Sequence, residues 1–175
     1  MATIYIPGPV NCFVGDEGES SSKHLQLGGV TLPPLEEKTA EHHAGGSIGA
    51  IEVGGLGLGA LTIGVELNGY DPQTMSKFGL SGRAPVPITI AGVIRDKAAA
   101  TNVRFKATAF GRLTKLEPSQ LKGGEMANQT HEFKEILRYY LWWDGKEKYA
   151  YDWAASIWRV DGVDQWADER AAMLI

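Results

Sequence analysis

The chain has a single cysteine, Cys12, so an internal disulfide and a two-cysteine metal knuckle are both excluded. This accords with folding in a reducing compartment. No run approaches the ~18 consecutive apolar residues of a membrane span. The opening MATIYIPGPV has neither a basic region nor an apolar stretch of the kind that marks a secretory signal. A basic cluster is missing too. The net charge is −4 and the lysines and arginines are scattered, which argues against a surface built to grip phosphates.

Glycine is in excess. Its 22 occurrences in 175 residues exceed the usual ~7% and fall in turns or beside β-patterned runs. The length fits one domain with a core that needs no staples. We take residues 1–175 as that domain, with residues 1–22 as an N-terminal arm, 35–49 as an exposed hairpin or protruding loop and 163–175 as a C-terminal arm.

Period-two patterning dominates. Asn11–Val14 and Leu25–Leu32 are strand-like, and Pro33-Pro34 stops the second. Leu61, Ile63, Val65 and Leu67 alternate with polar or small residues, as do Val86, Ile88 and Ile90, and Val103, Phe105, Ala107 and Ala109. Asp71-Pro72 is an N-cap followed by proline at the first helical position, predicting a short helix over Pro72–Phe78. His131–Trp143 fits either a helix face through Phe133, Ile136, Leu137 and Tyr140 or a strand face through Phe133, Leu137, Tyr139 and Leu141. Its density of Tyr and Trp, and the Asp144-Gly145 turn leading to Lys146–Asp152, favour the strand. Ser156–Val160 is a further strand, Asp161-Gly162 a turn, and Val163–Leu174 a short helix or arm. The fold class expected is mainly β: a barrel or sandwich with one short flanking helix and extended loops.

The candidates for chemistry are weak. Gly55-Leu56-Gly57-Leu58-Gly59-Ala60 matches a dinucleotide fingerprint, but that motif needs a helix after it, and here a strand pattern follows. A glycine-rich bend is the better reading. His42 and His43 are adjacent, so an extended chain points them to opposite faces and away from a shared ion. Ser20–Ser22 lacks the nucleophile-elbow glycines, and the neighbouring carboxylates Glu36-Glu37 and Asp168-Glu169 suit hydrated faces. Tyr139, Tyr140, Trp142 and Trp143 lack the basic stripe that base stacking would want beside it. No enzyme, cofactor or metal is expected. What remains is surface of little use to a monomer: a polar 35–49 loop, a glycine-rich continuation and an aromatic C-terminal arm.

Four ordered landmarks then carry a resemblance. They are Val30-Thr31-Leu32-Pro33 with Leu35, Lys38-Thr39 and Ala44-Gly45-Gly46; Leu67-Asn68-Gly69 before Phe78-Gly79-Leu80; Gly111-Arg112-Leu113 with Glu117 and Gly123-Gly124-Glu125; and Tyr139-Tyr140, Asp144-Gly145, Asp152 and Val160–Gln165. Together they resemble the major tail tube proteins of contractile-tailed phages, a family that includes the tubes of R-type pyocins. The N-terminal region through Ser22 is longer and more polar than in that family, and the Ala171–Ile175 ending departs from the usual arginine-then-"LGL", with Arg170 as the arginine's counterpart.

The resemblance implies a structural virion protein that forms homohexameric rings stacked into a hollow tube, inside a sheath, with DNA passing through the lumen without specific binding. It implies partners in the sheath, baseplate or initiator and tail terminator proteins, no membrane, and assembly in the bacterial host cytoplasm. A phage-derived bacteriocin or a secretion-type tube is the nearest alternative, and a monomeric ligand-binding β-barrel a more distant one. Contacts between rings or subunits are expected at Glu36, Glu37, Lys38, Glu41, His42, Gly45 and Gly46 in the loop, and at Asp164, Trp166 and Arg170 in the C-terminal arm.

Overall fold

The computed structural model of the chain describes residues 3–80 and 84–175, so the first two residues of the expected N-terminal arm lie outside it. The strands are β1 (Tyr5–Val14), β2 (Leu27–Thr31), β3 (Ala40–His42), β4 (Ile51–Val53), β5 (Ile63–Asn68), β6 (Val86–Asp96), β7 (Thr101–Pro118), β8 (Asn128–Trp143), β9 (Lys146–Asp152), β10 (Ile157–Val160) and β11 (Val163–Asp164). The helices are α1 (Pro72–Met75) and α2 (Ala167–Met173), the second lying within the Val163–Leu174 stretch read as a short helix or arm. Nine strands form one sheet: seven are ordered β1-β6-β7-β8-β9-β10-β11, β5 branches from β8 and β2 pairs with β5, while β3 and β4 form a separate hairpin.

β8 holds the sheet together because its far edge is shared. Its first half, Asn128–Phe133, pairs with β5, and its second half, Arg138–Trp143, pairs with β9. Between them Glu135 takes a positive φ of 52° and the β7–β8 register slips. That bulge explains the helix-like spacing of Phe133 and Ile136. Both are buried because the strand's parity flips between them, and no helix forms. Gly111 faces the bulge from β7; a Cβ there would lie 2.4 Å from Ile136 Cδ1.

The core lies in the concavity of the curled sheet. Ile63, Val65 and Leu67 from β5 meet Ile88 and Ile90 from β6, Ala107 and Leu113 from β7, and Phe133 and Tyr139 from β8. The expected alternation therefore holds where one face is buried. The sheet does not close into a barrel. β1 meets the segment leading into β2 through a single bridge between Phe13 and Ser22, the Lys23 N–H donating to the Cys12 carbonyl at 2.8 Å, and the Asn11 amide donating to the Ser22 hydroxyl at 2.8 Å. Asp-Gly turns close the β8–β9 and β10–β11 hairpins as expected, with positive φ at Asp144, Gly145, Asp161 and Gly162.

A polar cluster clasps this seam. The Lys23 side chain is buried and lies 2.7 Å from Asp71 Oδ2, and its ammonium also donates to Gln73 Oε1 at 3.1 Å. Asp71 is the N-cap of α1, accepting from the Thr74 N–H at 3.2 Å and from the Thr74 hydroxyl. Gln129 and His131 of β8 are fully buried beneath it.

Burial tends to raise the Asp71 carboxyl, but Lys23 and Thr74 outweigh it and hold it below the ordinary 3.8. Burial, aided by the Lys23 charge, pushes the His131 imidazole below 6.5 against the opposing pull of the Val65 backbone and Asp71. An unfolded chain has an ordinary imidazole, so below pH 6.5 it takes up a proton that folded His131 resists. Stability therefore falls as pH drops from that value towards the folded pKa. The Asp71 contribution is lost only below 3.8, as pH falls through its own folded pKa. The urea midpoint should be lower at about pH 5 than at about pH 7.5, and His131→Gln should flatten that slope. Equal slopes in both proteins would locate the acid sensitivity elsewhere.

Candidate assembly interface

The segment expected to protrude is a β-ribbon. β3 and β4 pair as Ala40 with Val53, Glu41 with Glu52 and His42 with Ile51, and all six residues are exposed. Of the two readings open for residues 35–49, exposed hairpin or loop, the chain takes the hairpin, whose second strand lies just beyond that stretch. Gly45 and Gly46 make the turn at the tip, where the Ser47 N–H donates to the Ala44 carbonyl at 2.9 Å. Ile48, Ile51 and Val53 stand in solvent without cover from their own chain.

The base of the ribbon is stitched by backbone. The Lys38 N–H donates to the Gly57 carbonyl at 2.8 Å, and the Gly59 N–H donates to the Glu36 carbonyl at 2.7 Å. The Glu37 carboxylate accepts from the Gly55 N–H. Gly55 and Gly57 have φ of +81° and +95°, which only glycine adopts readily. The dinucleotide-like run is thus a bend that leads into β5, and no helix follows it.

The C-terminal candidates are gathered in a second place. Arg170 of α2 pairs with Asp164 of β11, and its guanidinium also donates to the Ser156 carbonyl at 3.0 Å. The Trp166 N–H donates to Asp164 Oδ1 at 3.0 Å. Arg170 holds the Asp164 carboxyl below its ordinary 3.8. These bonds fix α2 against β11 and the β9–β10 turn, so Asp164 and Arg170 satisfy each other within the chain.

The two regions share a groove of about 660 Å³. Leu35, Glu37 and Leu58 line one wall, and Trp153, Trp158 and Trp166 the other. Glu37 and Trp166, far apart in sequence, therefore meet across one space. Trp153 and Trp158 are not among the sequence candidates, and Trp153 is 66% exposed. Tyr149 and Trp158 stack with centroids 5.8 Å apart. Among the described residues no group of three His, Cys, Asp or Glu side chains is placed to hold a metal ion.

This mainly β architecture, with an exposed ribbon over an aromatic groove, matches one family along nearly its whole length. The model of the phage tail tube protein FII family matches residues 10–173. The chain belongs to that family. The major tail tube protein of Serratia phage KSP20 is 27% identical over 146 residues, covering 83% of each chain. Among solved structures, the sheath–tube complex of the extracellular contractile injection system PVC contains a chain of the same fold. It has a TM-score of 0.55 at 15% identity, over 78% of this chain and 90% of that one. The tube-terminating cap of the anti-feeding prophage gives 0.56 at 14% identity, over 81% and 94%. The tail tube protein is accordingly a structural component of a phage tail.

Proposed function

We propose that the tail tube protein assembles into hexameric rings stacked as a hollow conduit for DNA inside a contractile sheath, with the β3–β4 ribbon as the element between rings. One observation carries the reading: every residue of both ribbon strands is exposed in the isolated subunit. An isolated two-stranded hairpin is marginal in water, so a neighbouring subunit is what would order it. Glu36, Glu37, Lys38, Glu41, His42, Gly45 and Gly46 then make the contacts to the next ring, while Trp166 lines the groove and Asp164 and Arg170 hold its segment in place for a neighbouring subunit. The edge strands β1 and β11 leave backbone groups free for pairing within a ring.

Six copies at −4 each give a ring of −24, and a lumen sharing that sign would let DNA slide. Sheath, baseplate or initiator, and terminator proteins are the partners of such a tube. Assembly takes place in the host cytoplasm, and the subunit carries no catalytic role. Deleting residues 38–46 should leave a folded monomer, by circular dichroism and gel filtration, that forms no tubes by negative-stain microscopy. Normal tubes from that deletion would remove the ribbon from the account.

A further inference from the structure

The ribbon carries an electrostatic oddity. Glu41 and Glu52 sit directly opposite each other, where cross-strand Cβ atoms are about 4.5–5.5 Å apart and like charges oppose pairing. Among the described residues neither has a cation of its own chain within ion-pair distance. A second oddity lies on the large sheet. Arg112, Arg138, Arg159 and Arg170 are each held by a carboxylate of their own chain. The other two described arginines, Arg95 and Arg104, are exposed and make no such pair.

Those two arginines are neighbours. Val93 faces Arg104 across the β6–β7 ladder, and Arg95 lies two residues from Val93, so both project from the same face on a diagonal. That face is the one turned away from the core, since Ala107 and Ala109 of β7 are buried on the other side. Lys106, next on the same face, is already tied to Glu17 at 2.8 Å.

We propose that the Glu41–Glu52 carboxylate pair of one subunit docks on the Arg95–Arg104 pair of a second copy. The proposal rests on the assembly reading above and names the receiving surface. A twin of carboxylates on directly opposed positions meets a twin of guanidiniums on a diagonal, about 7–8 Å apart at the backbone, a gap that long arginine side chains can close. Arginine's planar fork suits carboxylate oxygens two at a time. The contact is heterologous: each copy offers a ribbon at one place and an arginine pair at another. Contacts of that kind propagate rather than close on themselves. Docking would also relieve the like-charge opposition within the ribbon.

Charge reversal tests it with the full chain. Glu52→Arg and Arg104→Glu, each shown folded by circular dichroism, should each raise the concentration needed for tubes by roughly tenfold or more, because like charges then face each other across the contact. Mixed one to one, they should assemble again: the unchanged ribbon of the Arg104→Glu chain meets the unchanged arginines of its partner, and the two reversed surfaces meet each other. Glu52→Gln, a milder change, should weaken assembly less and reduce its salt dependence. Singles that assemble like the unaltered chain, or a mixture no better than the singles, would overturn the proposal. Unaltered protein that never forms tubes would instead sink the assembly reading on which it stands.

Discussion

Replacing Asp71 by alanine is expected to cost about 3–5 kcal/mol, the usual penalty for stranding one member of a buried ion pair. Lys23 lies 3% exposed and would keep its ammonium in the core seam with only Gln73 to receive it. The same change removes the N-cap of α1, and loss of a cap alone costs about 1 kcal/mol. In a domain of this size the melting temperature should drop by roughly 6–20 °C. Lys23→Met combined with Asp71→Ala should recover much of the loss, because the charge left stranded is then gone. Asp71→Asn separates the two effects: asparagine still caps the helix but leaves Lys23 unpaired. A loss below about 1 kcal/mol for Asp71→Ala would show that water reaches Lys23 and that the seam is not clasped.

Phe133→Ala should be as damaging, at about 3–5 kcal/mol. Phe133 is completely buried and sits in two ladders at once, opposite Ile63 of β5 and Leu113 of β7, where the sheet's shared edge divides. The cavity would open beside the Glu135 bulge, and the paired strands on either side limit how far the site can collapse. Leu25→Ala is the matching control. Leu25 is 87% exposed, so the change should stay within about 0.5 kcal/mol. Urea denaturation of the three proteins measures both. Similar midpoints for Phe133→Ala and Leu25→Ala would contradict the placement of the core.

Much of this core was legible from alternation alone. Ile63, Val65 and Leu67 are all fully buried, and β9 has the bounds that the Asp-Gly turn implied. β1 was harder to read. It starts at Tyr5, whereas the pattern suggests Asn11, because Pro7 and Pro9 argue against a strand. Its position at the sheet edge resolves this, since an edge strand can present a missing N–H to solvent. The β8 bulge was invisible because a one-residue change of parity imitates a helical period. The clasp was invisible for a different reason. Lys23 follows a polar Gly/Ser stretch and looks solvated, and only the fold brings it to Asp71. The candidate contact residues were legible as unusual surface. The groove between them was not, because Trp153 and Trp158 owe their exposure to how β9 and β10 pair rather than to any local pattern.

The central claim is that this subunit's activity is the surface it builds with its neighbours. Cryo-electron microscopy of the concentrated, purified chain tests that most directly. The account predicts hollow tubes of stacked six-membered rings, with density for residues 38–54 reaching from each ring into the next. Dispersed monomers at every concentration, or tubes in which that ribbon folds back on its own subunit, would contradict it.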